Sequence, residues 1–338
     1  MQAHPLHAIV YGLGPIGAAI MQNALKSTHI RLLGAVDIDP HKIGTDLGVL
    51  VQENPAGIRV VGSIGEVDSI EANGRKFAFH ATGSNLQQVW PQIKLLLDEG
   101  YSVVSTCEEL SFPWHRYPEL SRQIDQYARD RQQLVIGAGV NPGYVMDALA
   151  LFATTVTQTI TGVYISRKVD VAKRRVPLQK KVGIGMEPQL FRQLAQENRI
   201  GHVGLEESLR MIAYGLNLTL TEVQNSIEPT IAEEDRQLAI GPLHKEEVSG
   251  LHQQCRGATA EGIAIELDLV MSIGIVQEDR IVIETKEMGN IELVIPGGIF
   301  GDSATSNIIV NTAKVLHAYG GCGLLTMADI KLGRNIIG

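Results

Sequence analysis

The chain has 338 residues, enough for about two hydrophobic cores, and its 44% hydrophobic and 20% charged residues are those of an ordinary globular protein. A net charge of −8, from 29 Lys and Arg against 37 Asp and Glu, excludes a nucleic-acid footprint; the basic clusters at 173–175 and 180–181 read as a local anion or cofactor surface. Three widely spaced cysteines without a CxxC pair, an N-terminus MQAHPLH lacking signal-peptide character, and no uncharged apolar run near ~18 residues point to a cytoplasmic protein with reduced thiols and no membrane partner.

Ala8 to Tyr11 reads as a buried strand that breaks into Gly12-Leu13-Gly14-Pro15-Ile16-Gly17, after which Ala18 to Leu25 is helical. Strand, glycine turn and helix in this order make a dinucleotide-binding fingerprint. Gly12 permits the turn, Gly14 has no Cβ to obstruct a pyrophosphate, and Gly17 lets the helix approach the sheet. Pro15 and Ile16 belong to the turn, and the phosphates sit at the N-terminus of the helix that follows, whose dipole favours them. A second apolar run, Ile30 to Val36, ends in Asp37, 20 residues past Gly17, where an acid accepts hydrogen bonds from a ribose and repels a 2′-phosphate. The expected cofactor is therefore NAD. His41 and Lys42 are close enough to meet a phosphate, which keeps NADP open, and a glycine turn with no ligand is the plainer alternative.

Further along, Lys42 to Leu47 can wind once, Arg59 to Val61 is a short strand and Ile64 to Ser69 a short helix. Phe77 to Ala81, Tyr101 to Ser105 and Gln133 to Gly137 are strands, alternating with helices at Leu86 to Glu99 and Leu120 to Arg131. This alternation predicts an α/β fold with a Rossmann-type, doubly wound parallel sheet. Ligands of such sheets lie beyond the carboxyl ends of the strands, so the loops with Thr82 and Gly83, with Thr106 and Cys107, and from Gly139 to Gly143 should share a crevice with the glycine turn.

After about residue 143 the texture changes. Asp147 to Thr155, Pro188 to Asn198 and Leu205 to Leu216 are helical, whereas Thr159 to Arg167, Ala258 to Ile275, Arg280 to Lys286 and Asn290 to Ile295 are strand-like. A second α+β domain on a mixed or antiparallel sheet is expected over 143–302, following a dinucleotide-binding domain over 1–142. Ala304 to Tyr319 is a helix within a C-terminal segment, 303–338, that should return to the first domain.

Glu108 and Glu109 end the strand Tyr101 to Ser105, and an acid beside an apolar ring suits proton exchange near neutral pH. Neighbours leaving a strand point opposite ways, so one of the two should face the cofactor; two solvated loop acids are the alternative. Asn141-Pro142-Gly143 fixes a turn that offers a donor and an acceptor to a substrate, or is turn chemistry alone. Arg167 can clamp a carboxylate bidentately or sit on the surface, and Tyr144, Tyr164 and Met146 line a pocket or pack a core. The ten histidines show no ligand spacing, so no metal is expected. Cys107, beside Glu108, is in the wrong electrostatic setting for a reactive thiolate.

The succession GLGPIG, VDIDPHKIGTDLG, ATGSN, STCEEL, GVNPGYVMDAL, RRVPLQKKVGIGM and GGIFGDSATSNIIVN with GLLTMADI resembles the 2,4-diaminopentanoate dehydrogenase group, which includes native amine dehydrogenases, within the wider family carrying a dihydrodipicolinate-reductase-like nucleotide-binding domain. The resemblance runs from about residue 8 to 330. It implies reversible NAD(P)-dependent deamination of an amine, or amination of a ketone with ammonia, with the family's glutamate falling on Glu108 and substrate contacts on Asn141 and Arg167. It also implies a homodimer through the sheet of the second domain. The His-His and Lys signature and SGT turn of dihydrodipicolinate reductase are missing, which argues against that reaction. Val169 stands where the diaminopentanoate group places a polar residue beside the arginine, which favours a simpler ketone or amine. Two other readings stay open: reduction of another C=N or C=O bond without ammonia, and a non-catalytic dinucleotide sensor.

Overall fold

The computed structural model describes residues 5–68, 74–172 and 174–333. In chain order the elements are β1 (Leu6–Tyr11), α1 (Pro15–Lys26), β2 (Ile30–Val36), α2 (Leu47–Leu50), β3 (Val60–Val61), β4 (Lys76–His80), α3 (Leu86–Asp98), β5 (Tyr101–Ser105), α4 (Pro118–Asp130) and β6 (Leu134–Gly137). Next come α5 (Ala148–Ala153), β7 (Ile160–Asp170), α6 (Val176–Lys181), α7 (Pro188–Gln196), α8 (Leu205–Gly215), β8 (Leu220–Ile231), β9 (Arg236–Leu238), β10 (Gly241–Leu243), β11 (Val248–Thr259), β12 (Ala264–Ser272), β13 (Glu278–Thr285) and β14 (Ile291–Pro296). α9 (Gly301–His317) and β15 (Gly323–Leu325) follow.

Two compact units result: one from the described residues of Met1–Tyr144 and Phe300–Gly338, the other from Val145–Ile299. In the first, seven parallel strands lie in the order β15-β6-β5-β4-β1-β2-β3. β2, β4, β5 and β6 are almost wholly buried, as befits a parallel sheet covered on both faces. α9 packs on α1, where Asn23 Nδ2 donates to Ser306 Oγ at 3.0 Å and to Asn307 Oδ1 at 2.9 Å. The short strand β15, unread in the sequence, extends the sheet beyond β6.

The second unit holds a six-stranded sheet in the order β14-β13-β7-β12-β11-β8, plus the small β9-β10 ribbon. Its pairings are antiparallel except β12 with β7, so the sheet is mixed. Burial alternates along β7, β12 and β13: one face is sealed and the other partly open.

Several expected boundaries shift. Ala258 to Ile275 is not one strand: Gly262, at φ +76°, turns the chain between β11 and β12, and Thr259 Oγ1 donates to the Ile263 carbonyl at 2.8 Å. β8 and most of β11 are polar enough to escape a hydrophobic pattern. The helix expected over Lys42 to Leu47 starts only at Leu47, after a turn through Gly44, because Asp46 caps that next segment, accepting from Gly48, Val49, Ala56 and Gly57 N–H groups. The expected helix at Ile64 is a 3-10 turn, Ile64–Glu66, and Ser69 lies outside the described residues, as does Lys173 of the basic cluster.

Candidate active site

The strand ends of the first unit finish in line. Gly12 N–H donates to the Val36 carbonyl, Ala81 N–H to Tyr11, Thr106 N–H to His80 and Ala138 N–H to Ser105, at 2.8, 2.8, 2.9 and 2.8 Å. The loops that begin there therefore lie side by side along one edge of the sheet, as an open α/β sheet requires for a ligand crevice.

The glycine turn shows three distinct environments. Gly12 adopts φ +91°, and a Cβ there would meet the Ala81 carbonyl oxygen at 2.8 Å. At Gly17 a Cβ would come within 1.8 Å of the Gly12 carbonyl oxygen, so only glycine lets α1 close on the strand exit. At Gly14 a Cβ would meet nothing within 4 Å. Gly14 is the N-cap of α1, Pro15 lies in its first turn, and no side chain caps it or places an acid in that turn. An open cradle over uncapped helix N–H groups fits a bound diphosphate.

Asp37 is buried, and its carboxylate ties the end of β2 to this turn. Oδ2 accepts from Leu13 N–H at 2.6 Å and from Lys42 Nζ at 3.1 Å, and Oδ1 accepts from Asp39 N–H at 2.8 Å. Burial pushes the carboxyl's pKa up, but the donations from Asp39, Leu13 and Lys42 prevail and hold it below the ordinary value. Thr82 and Gly83 lie exposed after β4, with Thr82 Oγ1 donating to Gln92 Oε1 at 2.6 Å. Thr106 is half-buried after β5. Cys107 is packed in the core: its thiol donates to the Ser84 carbonyl, its N–H donates to Ser105 Oγ and its carbonyl accepts from Leu110 N–H, each at 3.1 Å. Burial first, with Glu108 and Glu109 adding to it, pushes that thiol up to about 12; the expectation named only the charge.

The two glutamates have separate environments. They stand on a 3-10 turn, Glu108–Leu110, which overrides the strand-like alternation assumed from sequence. Glu109 is buried, and its Oε2 accepts from Leu86 N–H at 2.7 Å and Tyr117 O–H at 2.9 Å, with Arg116 Nη1 3.3 Å from Oε1. It therefore secures the start of α3. Burial and this hydrogen bond push the Tyr117 phenol up to about 12. Glu108 is half-buried, and its carbonyl accepts from Ser111 N–H and from Ser111 Oγ, the latter at 2.7 Å. Gly137 closes the turn against β6: a Cβ there would meet Leu110 C and Ser111 N, each at 2.6 Å.

Asn141 is buried in the neighbouring loop, where the Asn141–Pro142 peptide is cis and Val140 N–H donates to Thr305 Oγ1 at 3.2 Å. Tyr144 is half-buried at the end of the first unit. In the second unit Met146 and Val169 are buried and Tyr164 is half-buried. Arg167 is buried and not on the surface. Its guanidinium clamps the chain's own Asp279, Nη1 to Oδ2 at 2.8 Å, while Nη2 donates to the Ile299 carbonyl at 2.7 Å. Ile299 N–H in turn donates to Asp279 Oδ2 at 2.7 Å. Asp279, 112 residues away in sequence, gave no local sign of this pairing. Two further groups were missed, buried His80 and its partner Ser105; the only trace was a polar residue closing an apolar strand. Among the described residues no three His, Cys, Asp or Glu gather as a metal site, and no helix is long and apolar enough to cross a membrane.

Residues 144–338 match the family model for the 2,4-diaminopentanoate dehydrogenase C-terminal domain. The chain belongs to the 2,4-diaminopentanoate dehydrogenase family. It is accordingly an oxidoreductase. A 2,4-diaminopentanoate dehydrogenase of Acetoanaerobium sticklandii is 28% identical over 348 aligned positions, covering 98% of this chain and 94% of that protein, so the likeness to the diaminopentanoate dehydrogenases extends over the glycine turn and STCEEL as well. Among solved structures, an amine dehydrogenase of Mycobacterium smegmatis shares the fold with a TM-score of 0.83 at 22% identity, covering 98% of this chain and 97% of that one. An oxidoreductase of Agrobacterium radiobacter, solved with NAD+, L-tartaric acid and magnesium, has a TM-score of 0.57 at 9% identity, covering 96% and 92%.

Proposed function

We propose that this dehydrogenase is an NAD(P)-dependent amine dehydrogenase that interconverts an amine with a ketone and ammonia, with Glu108 carrying the proton. The observation that carries the reading is the place of Glu108, which stands half-buried on the 3-10 turn at the exit of β5, on the edge shared with the glycine turn.

The open cradle at Gly14 and the uncapped start of α1 fit a dinucleotide diphosphate, and Asp37 stands where a ribose would be met. When bound, the nicotinamide supplies or accepts the hydride. In the aminating direction, Glu108 takes a proton from ammonium and the ammonia so formed adds to the carbonyl carbon; one proton passes from the adduct's nitrogen to its oxygen, and Glu108 returns its own to that hydroxyl, which leaves as water. The resulting iminium carbon is the hydride acceptor. The same carboxyl works in reverse during deamination. Ammonium-dependent oxidation of NADH or NADPH with a panel of small ketones tests the reading, and oxidation that proceeds equally without ammonium overturns it.

Two substitutions probe the cofactor cradle. Gly14→Ala leaves the melting temperature unchanged, because its methyl meets only open space, but weakens NADH binding by about tenfold, read by fluorescence titration. Asp37→Ala releases Lys42 and removes a negative charge from the ribose site. Preference should move from NADH towards NADPH by about tenfold, the size of one charge-assisted hydrogen bond. An unchanged ratio of kcat/KM values removes Asp37 from cofactor recognition.

We also propose a homodimer formed through the partly open sheet face of the second unit, where Tyr164, Val270 and Val282 are only half-buried. A monomer in sedimentation rejects it.

A further inference from the structure

His80 ends β4 with its ring fully buried, and it touches the ends of the strands on either side, β1 and β5. Its ring stacks on Tyr11 of β1, centroids 5.9 Å apart, one residue before the glycine turn. Nδ1 is 2.8 Å from Ser105 Oγ of β5, and Nε2 is 2.9 Å from both Gln92 Oε1 and Thr82 Oγ1.

The hydrogen-bond directions follow from what each atom can do. Gln92 Oε1 only accepts, so His80 Nε2 carries the proton and Thr82 Oγ1 sends its own to the same oxygen, 2.6 Å away. His80 Nδ1 is then the acceptor of the Ser105 hydroxyl proton. Ser105 Oγ is free to accept from Cys107 N–H, at 3.1 Å. Burial keeps the ring neutral by lowering its pKa to about 4, so this tautomer persists at neutral pH. The line of bonds ends on the amide immediately before Glu108.

We propose that His80 is a positioning residue for Glu108, acting through Ser105 to fix the backbone from which the 3-10 turn starts. The inference rests on the reading of Glu108 as proton carrier, but its structural half can be measured without any substrate. Asparagine at position 80 offers an acceptor where Nδ1 stands and keeps the bond to Ser105. Glutamine reaches the Nε2 partners and gives that bond up.

The experiment is amide hydrogen exchange on the full chain, followed over the peptide 104–111, together with steady-state kinetics and NADH titration. His80→Gln and, from the other end, Ser105→Ala should speed exchange at 106–108 by about tenfold or more. They should lower kcat by about 10- to 100-fold with NADH affinity held within about threefold. His80→Asn should restore both exchange and kcat to near wild type. Unchanged exchange in Ser105→Ala, or equal losses in the Gln and Asn variants, overturns the proposal. Faster exchange in a protein whose wild type aminates no ketone upholds the positioning and rejects the amine dehydrogenase reading instead. Should His80→Gln fail to fold, Ser105→Ala alone decides, since it removes only one hydroxyl.

Discussion

Glu108→Gln should lower turnover with ketone and ammonium by about 10²- to 10⁴-fold, the range supplied by a positioned general acid–base group, while NADH still binds. Glutamine preserves volume and polarity on a half-buried turn whose backbone is pinned through Ser111, so folding is not at stake. The loss should fall on kcat and kcat/KM alike, because the proton is needed only as the transition state forms. Glu109→Gln is the informative contrast. It weakens the anchor to Leu86 and Tyr117, so its effect should appear mainly as a lower melting temperature. Equal turnover in Glu108→Gln and wild type would remove this carboxyl from the chemistry.

Asp279→Ala should cost about 3–5 kcal/mol of stability, the usual penalty for stranding one member of a buried ion pair. Arg167 is 4% exposed and its burial already lowers its pKa, so without Asp279 the guanidinium would remain charged in a poor solvent. Asp279 also loses from burial, which raises its pKa against the opposing pull of Arg167. The paired replacement Arg167→Met with Asp279→Leu should recover most of the loss, because it removes both charges together. Urea titration of the three proteins reads this directly. If Arg167 instead clamped a substrate carboxylate, the double variant would remain stable yet lose affinity for acidic ketones selectively.

The first half of the chain was readable because a strand buried on both faces must be apolar throughout. Ile30–Val36 and Tyr101–Ser105 have the same limits in sequence and structure for that reason. The second half was harder. β8 and β11 carry Glu, Gln, Asn and Arg among their residues, and they pair with each other along their length, so neighbours supply what local pattern lacks. At the site, position was legible and direction was not. That acids would cluster after β5 follows from the strand; that Glu109 would serve α3 depends on Leu86 and Tyr117, which only the folded chain brings near. His80 escaped notice for the same reason: its partners Ser105, Gln92 and Tyr11 lie on separate elements.

The first unit opens with β1 and is completed by β15, with the whole second unit encoded between Tyr144 and Phe300. During synthesis the nucleotide-binding half must therefore wait, with α1 uncovered, until α9 has left the ribosome. A premature stop just before residue 300 would leave the apolar surface that Ile309, Ala313 and Leu316 normally occupy open to chaperones and proteases. For the same reason, a recombinant fragment of this half would need its distant C-terminal piece spliced back on.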